Sequence, residues 1–393
     1  MKILSQSPTD PGFVQNPYPF YDRARALGEL VFWQDYDKPA AISHNAVHSL
    51  LRDRRFGREV PSECAEPGPA HLAPWLAIEA HSLLDAEPPR HTRLRALITR
   101  AFTSRTIGAL ETDIETVCHD LIDLFPSEPF DLIQAYCQHI PVIIICRLLG
   151  LPERMGPQLL SWSHAMVAMY QAGRTRATED AAVEASRAFT AYLRDYIEQR
   201  RQDPRDDLIT RLIAAQQQGQ TLSRDELIAT CVLLLNAGHE ATVHTLGNGT
   251  KAVLDHCDDP VTAVSRHPDT IVEEVLRFDP PLHMFTRYAY EEVTLFGTRL
   301  RRGDQVALLL AAANRDPNRW DDPNRFDPAR VIRTNTSFGG GLHFCVGAPL
   351  ARLELRIALT VLLQRCPGLR ITAPPVYADS YHFHGLERLM VTR

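Results

Sequence analysis

The stretch Phe338-Gly-Gly-Gly-Leu-His-Phe-Cys-Val-Gly-Ala-Pro-Leu-Ala-Arg352 decides how this chain is read. Its three consecutive glycines give a backbone that turns tightly and approaches a flat ligand closely. Cys345 follows just ahead of a predicted helix, with Pro349 in the first turn, where proline's missing N–H is no loss. Free N–H groups and the dipole at a helix N-terminus stabilise an anion, so the position predicts a thiolate-prone sulfur. Phe338 and Phe344 would shield that sulfur from water.

Other chemistries fit less well. A solitary buried cysteine is commonly a small hydrophobe. The sequence contains no C-x-x-C, and His343 and Cys345 lack a second pair at zinc spacing, which disfavours zinc. The glycines are part of neither G-x-G-x-x-G nor a loop ending in Gly-Lys-Ser/Thr, so a phosphate loop is disfavoured too. A thiol nucleophile stays open, with no partner base assignable from sequence.

Outward from this loop the pattern is mainly helical. A helix runs from Ala348 to about Arg365. Ser223-Arg-Asp-Glu226 is a capping box. It opens a helix reaching about Asp255, roughly 48 Å at 1.5 Å per residue. The middle of that helix, CVLLLNAG, is apolar all round and should be buried. Another helix, Asp269 to Phe278, stops at Asp279-Pro280-Pro281 because proline cannot continue it. Residues from Thr92 to about Arg200 read as mostly helical, with Ile107 to Phe125 as one helix. Strands are predicted at Leu30 to Trp33, at Ala40 to Ser43, and within Val293 to Leu310, where Gly297 and Arg302-Gly303-Asp304 mark turns. Residues 61–80 read as a loop. So do residues 314–336, a length usually tied to function.

Composition narrows the class. With 45% hydrophobic and 23% charged residues the chain is an ordinary globular sequence. Its net charge of −6 disfavours nucleic acid as a partner. The length of 393 residues would by itself suggest two or three domains. Eight cysteines are too sparse for a disulfide scaffold. No apolar stretch resembles a signal peptide, and the longest apolar run, Val306 to Ala313, falls far short of the ~20 residues that span a bilayer. The expectation is a soluble, cytoplasmic protein with reduced thiols and no membrane partner.

The loop resembles the haem-binding signature of the cytochrome P-450 family, F-x-x-G-x-[HR]-x-C-x-G, filled here by Phe338, Gly341, His343, Cys345 and Gly347. The resemblance implies haem b as cofactor, with Cys345 as its thiolate metal ligand, a donor that favours O–O cleavage. Glu274-Val-Leu-Arg277 resembles the family's buried structural pair, with Arg330 as third member. Pro89-Arg-His91-Thr-Arg-Leu-Arg95 and Phe285-Thr-Arg287 resemble its propionate-binding segments, which places His91, Arg95, Arg287 and His343 around the haem carboxylates; arginine's planar fork suits that task. Asn236-Ala237-Gly238-His239-Glu240-Ala241-Thr242 resembles the oxygen-side helix pattern [AG]-G-x-[DE]-T. Ala237 and Gly238 would leave room beside the haem, and Glu240 would deliver protons. An H-E-x-x-H zinc motif fails there, because Val243 stands where the second histidine belongs.

One departure stands out. Ala241 replaces the usual threonine, and Thr242, one residue on, is turned by about 100° around the helix. A substrate hydroxyl or fixed water could supply the missing group, the enzyme could leak peroxide, or it could use peroxide directly. The resemblance runs from Asn16-Pro-Tyr-Pro-Phe-Tyr21 to His384-Gly-Leu-Glu-Arg-Leu389. It implies a mostly α fold with a smaller β region (about 25–60 and 285–310). A single domain, 1–393, would have its long central helix over the haem. The implied activity is a soluble bacterial monooxygenase that inserts one atom of O₂ into a small lipophilic substrate. Electrons would come from ferredoxin and ferredoxin reductase, and the protein would be a monomer. Arg352 and Arg356 are candidate ferredoxin contacts. The implied pocket comprises Trp75, Met166, Met169, Leu234, Ala237, His283, Phe285 and Phe383. The alternatives are a peroxide-using peroxygenase, a haem sensor without turnover, and a colourless thiol or zinc hydrolase.

Overall fold

The computed structural model describes residues 1–171, 173–217, 222–381 and 383–393. Its longest element is the central helix Arg224–His256. Ser223 starts it: its hydroxyl accepts from the Glu226 amide at 3.1 Å, and the Glu226 carboxylate accepts from the Ser223 amide at 2.9 Å. Two otherwise orphaned donors are thereby satisfied. Leu227, Cys231, Leu235, Val243 and Leu246 are all buried, so the helix threads the main core, where Ile140, Leu193 and Leu359 also lie. Helix Pro268–Phe278 and helix Ala348–Arg365 both pack against it.

The larger sheet has six strands in the order Lys2–Leu4, Leu30–Trp33, Lys38–Ala41, Gln305–Leu309, Met284–Ala289, Phe56–Gly57. Arg287 pairs with Val306 and Phe285 with Leu308. Two residues apart on one strand, Phe285 and Arg287 share a face. The hairpin Val293–Leu295/Thr298–Leu300 turns through Phe296 (φ 47°) and Gly297 (φ 72°), the two positive φ values that a tight two-residue turn requires.

Three local expectations are corrected. The strand expected at Ala40 to Ser43 is Lys38–Ala41. Pro39 is tolerated because its second neighbour, Gln305–Leu309, pairs only from Ala40 onward, and Ser43 instead caps helix His44–Leu50 through the Ala46 amide at 3.0 Å. Residues 61–80 contain the helix Ala73–Glu79, with Pro74 in its first turn. The helix expected over Ile107 to Phe125 is two, Ser104–Gly108 and Glu111–Asp123, broken just after Gly108, a poor helix former. Among the described residues no helix is long and apolar enough to cross a membrane.

Candidate functional site

The Cys345 loop is closed by its own backbone. The Cys345 amide donates to the Phe338 carbonyl at 3.0 Å, and the Gly339 amide to the Thr336 carbonyl at 2.8 Å. Gly341 sits at φ 65°, and a Cβ there would lie 2.4 Å from the Leu51 carbonyl oxygen. Only glycine lets the loop rest on the turn after helix His44–Leu50. Helix Ala348–Arg365 starts immediately afterwards, with Pro349 in its first turn. Cys345 keeps an accessible face, yet burial is the largest influence on its thiol and pushes it up on balance. The Gly347 and Ala348 amides and the guanidinium groups of Arg95 and Arg352 pull the other way. Burial thus opposes the effect of the helix terminus on this sulfur. Cys118, Cys146 and Cys231 are buried thiols pushed to about 12.

The cationic residues of the sequence argument converge beside this loop. The rings of His91 and His343 are 4.7 Å apart, and His343 Nε2 lies 2.8 Å from Glu87 Oε1. Burial, then the neighbouring His343 and Arg95, lowers His91 to about 4, so its imidazole is neutral. Arg287 is 2% exposed and donates to the Thr286 carbonyl at 2.8 Å. Burial, then the charge of Arg58, lowers it to about 10. Its Nη2 and His91 Nδ1 are buried without a partner. No carboxylate pairs with Arg287 or Arg95 among the described residues. Glu87 and Asp85 act on Arg287 only from a distance; a buried cation without a paired carboxylate is costly, so this corner suits an anion. A flat group with carboxylates at one edge and a metal facing a thiol fits that donor set.

Glu274 and Arg277, both 1% exposed in their side chains, form a bidentate pair at 2.7 and 2.8 Å. Arg330 Nε lies 3.1 Å from each Glu274 oxygen. Arg277 also donates to the carbonyls of Asn314, Pro323 and Arg325. This triad fastens the irregular 314–336 segment, whose backbone would otherwise lack partners.

On the central helix Ala237 is exposed although Leu234, Leu235, His239 and Glu240 around it are buried, so it faces an internal cleft. Ala241, one turn on, is half-buried, and Gly238 lies beside them. Thr242 donates its hydroxyl to the Gly238 carbonyl at 3.0 Å. Glu240 is turned toward three histidines instead: His164 Nε2 at 3.0 Å, His239 Nδ1 at 3.9 Å and His244 Nε2 at 3.5 Å. Burial opposes its charge, but the hydrogen bonds from His164 and His244 win and hold the carboxyl well below the usual range. His164 is raised by that same contact. No sequence signal marks His164, because its helix, Gly156–Val167, is remote in sequence and carries no motif.

The expected pocket residues divide. Phe285 lies beside Gly339 of the cysteine loop, and Phe383 lies 5.7 Å from the His244 ring. Trp75 contacts Tyr170, and Met169 packs with Leu72, Ala182 and Val183. Met166 is buried against Asn236, one residue before Ala237. His283 does not line a cleft. It is fully buried, its Nδ1 2.8 Å from the Tyr21 hydroxyl and its ring against His384, because Asp279 and the tyrosines of the N-terminal part draw it away. Arg352 and Arg356 are not free: they pair with Glu273 and with Glu111.

Comparison with known proteins agrees with this geometry. A family model described as Cytochrome P450 matches residues 269–368. The polyketide biosynthesis cytochrome P450 PksS of Bacillus subtilis is 37% identical over 408 residues, covering 100% of this chain and 99% of that protein. Cytochrome P450 monooxygenase PikC of Streptomyces venezuelae is 34% identical over 395 residues, 96% and 91% of the two chains. The crystal structure of P450BioI with a hexadecenoyl-loaded acyl carrier protein superposes with a TM-score of 0.91 at 32% identity, covering 97% of this chain and 99% of that one. Fold and relatives define a haem oxidoreductase. The chain belongs to the cytochrome P450 family. Its cofactor is haem b and its activity that of a monooxygenase, a class that uses O₂, redox partners and lipophilic substrates.

Proposed function

We propose that the chain is one domain built around a single haem, which the Cys345 thiolate would hold through its metal, and that it oxygenates a small lipophilic substrate. The observation that carries the site assignment is the buried Arg287, whose Nη2 lacks a partner beside His91, Arg95 and the Cys345 loop. Bound haem supplies the oxygen-activating chemistry of the family. The chain supplies the rest. The Gly347 and Ala348 amides, with Arg95 and Arg352, favour charge on the Cys345 sulfur. Arg287, Arg95, His91 and His343 receive carboxylates. Phe338, whose ring lies 4.6 Å under Arg352, shields the sulfur's side of the loop. Ala237, Gly238 and Ala241 leave space that a substrate would fill, and Leu234, Phe285 and Phe383 would give it apolar walls. The Glu240 carboxylate takes a proton from His164 Nε2 and gives it up toward the cleft, and the half-exposed His164 ring regains one from solvent.

Relatives whose names specify polyketide biosynthesis and vitamin D(3) hydroxylation support a lipophilic substrate. A ferredoxin with its reductase would supply electrons, docking near Arg352 and Arg356. Ala241 together with the inward-turned Thr242 hydroxyl favours a second reading of the same site, in which peroxide serves as oxidant. The purified protein decides the ligand. Its reduced carbon-monoxide adduct should show the red-shifted thiolate band and lose it in Cys345→Ser; a band without that shift removes the assignment. Screening lipophilic compounds for spin-state changes identifies the substrate. Product yield driven by peroxide, against that driven by NADH through ferredoxin, separates the two oxidant readings.

A further inference from the structure

Three imidazoles surround Glu240, and one of them faces it wrongly for a simple hydrogen bond. His239 is 1% exposed, and its Nε2 lies 3.3 Å from the Gln138 carbonyl oxygen. A carbonyl only accepts, so Nε2 carries the proton and Nδ1 is left as a lone pair. That Nδ1 has no hydrogen-bond partner and lies 3.9 Å from Glu240 Oε1. Two electron-rich atoms thus face each other inside the protein, an arrangement favoured only with a positive centre or a donor between them.

A third ligand atom completes the arrangement. His164 Nε2 is 3.0 Å from the same carboxylate oxygen, and one ligand atom from each residue lies within 4.8 Å of the others. We propose that His164, His239 and Glu240 bind a divalent transition-metal cation, zinc by preference, where helix Gly156–Val167 crosses the central helix. Two imidazole nitrogens and one carboxylate oxygen with an open fourth direction are a zinc donor set. The outer partners are in place: the Gln138 carbonyl fixes the His239 tautomer, and His244 Nε2, 3.5 Å from Glu240 Oε2, orients the carboxylate. The His164 side chain is 46% exposed, which opens the site to the cation. A bound cation ties the two helices together and occupies Glu240. Reversible loss of turnover follows from the proton role proposed above; the binding itself does not depend on that role.

The test is zinc binding by the holoenzyme after chelator treatment, followed by calorimetry and by equilibrium dialysis with metal analysis. One saturable site per chain is expected. His164→Ala and His239→Gln should each weaken it by at least about tenfold, while His71→Ala, at a surface histidine paired with Glu179, leaves it unchanged. Circular dichroism and the haem spectrum verify that the variants fold; His164, half exposed, is the safer of the two. No saturable zinc, or a site indifferent to both substitutions, overturns the proposal and leaves a water as the donor between His239 and Glu240. Stoichiometric zinc with unaltered turnover keeps the metal site and removes the proton role of Glu240.

Discussion

Thr242 donates its hydroxyl to the Gly238 carbonyl one turn back, at 3.0 Å. The hydroxyl nearest the missing threonine is therefore engaged with its own helix and does not face the cleft beside Ala237 and Ala241. Restoring the hydroxyl at the right position should matter. In Ala241→Thr, product formed per NADH consumed rises by up to about tenfold, below the ~100-fold of a fully positioned acid–base group, and peroxide leakage falls. Thr242→Val leaves both ratios unchanged. Unchanged coupling in Ala241→Thr with every turned-over substrate defeats this account of position 241.

Arg287 should hold the cofactor through its planar fork. In Arg287→Leu, haem transfers to a scavenger apoprotein at least about tenfold faster, since a lost buried charge partner costs 2–5 kcal/mol. Arg287→Lys falls between, because a point charge cannot reproduce the bidentate grip. An unchanged transfer rate in the leucine variant would take Arg287 out of the cofactor's carboxylate site.

The Glu274–Arg277 pair is a stability element. Glu274→Gln leaves Arg277 and Arg330 without their shared anion and costs about 3–5 kcal/mol, read as an earlier urea midpoint. The 314–336 segment should become the first protease target, since both arginines fasten its carbonyls. A midpoint within error of the parent contradicts this.

Glu354, buried in helix Ala348–Arg365, is pushed up to about 8 by burial. Below about pH 4.5 the folded and unfolded chains both hold this proton, so stability has its full value. Between there and pH 8 only the folded chain keeps it, and stability falls as pH rises. Glu354→Gln removes that component, so its unfolding free energy should decline less between pH 5 and 8 than the parent's. Parallel curves for the two proteins would falsify the assignment.

Much of this was legible in the sequence, for local reasons. Ser223 and Glu226 announce the central helix because a capping box is satisfied within four residues. Phe338 to Gly347 and Glu274 to Arg277 are likewise short, so their spacing survives without tertiary information. Contacts between distant elements were not legible. Nothing in the sequence links His164 to Glu240, and nothing pairs His343 with Glu87. The resemblance points His283 to the pocket, whereas Asp279, Tyr21 and His384 recruit it into a buried polar network. The thiol of Cys345 shows the same limit: its helix terminus was readable, but the enclosure that opposes the dipole was not.

The seat of Gly341 on the Leu51 carbonyl has a consequence for how the protein is made. The cysteine loop reaches its final shape only when a segment near the start of the chain meets one near its end. Contacts of that sequence separation close late and slowly. Cofactor capture through the Cys345 loop therefore needs both ends of the chain in place, so a truncation at either end disturbs the loop's seat.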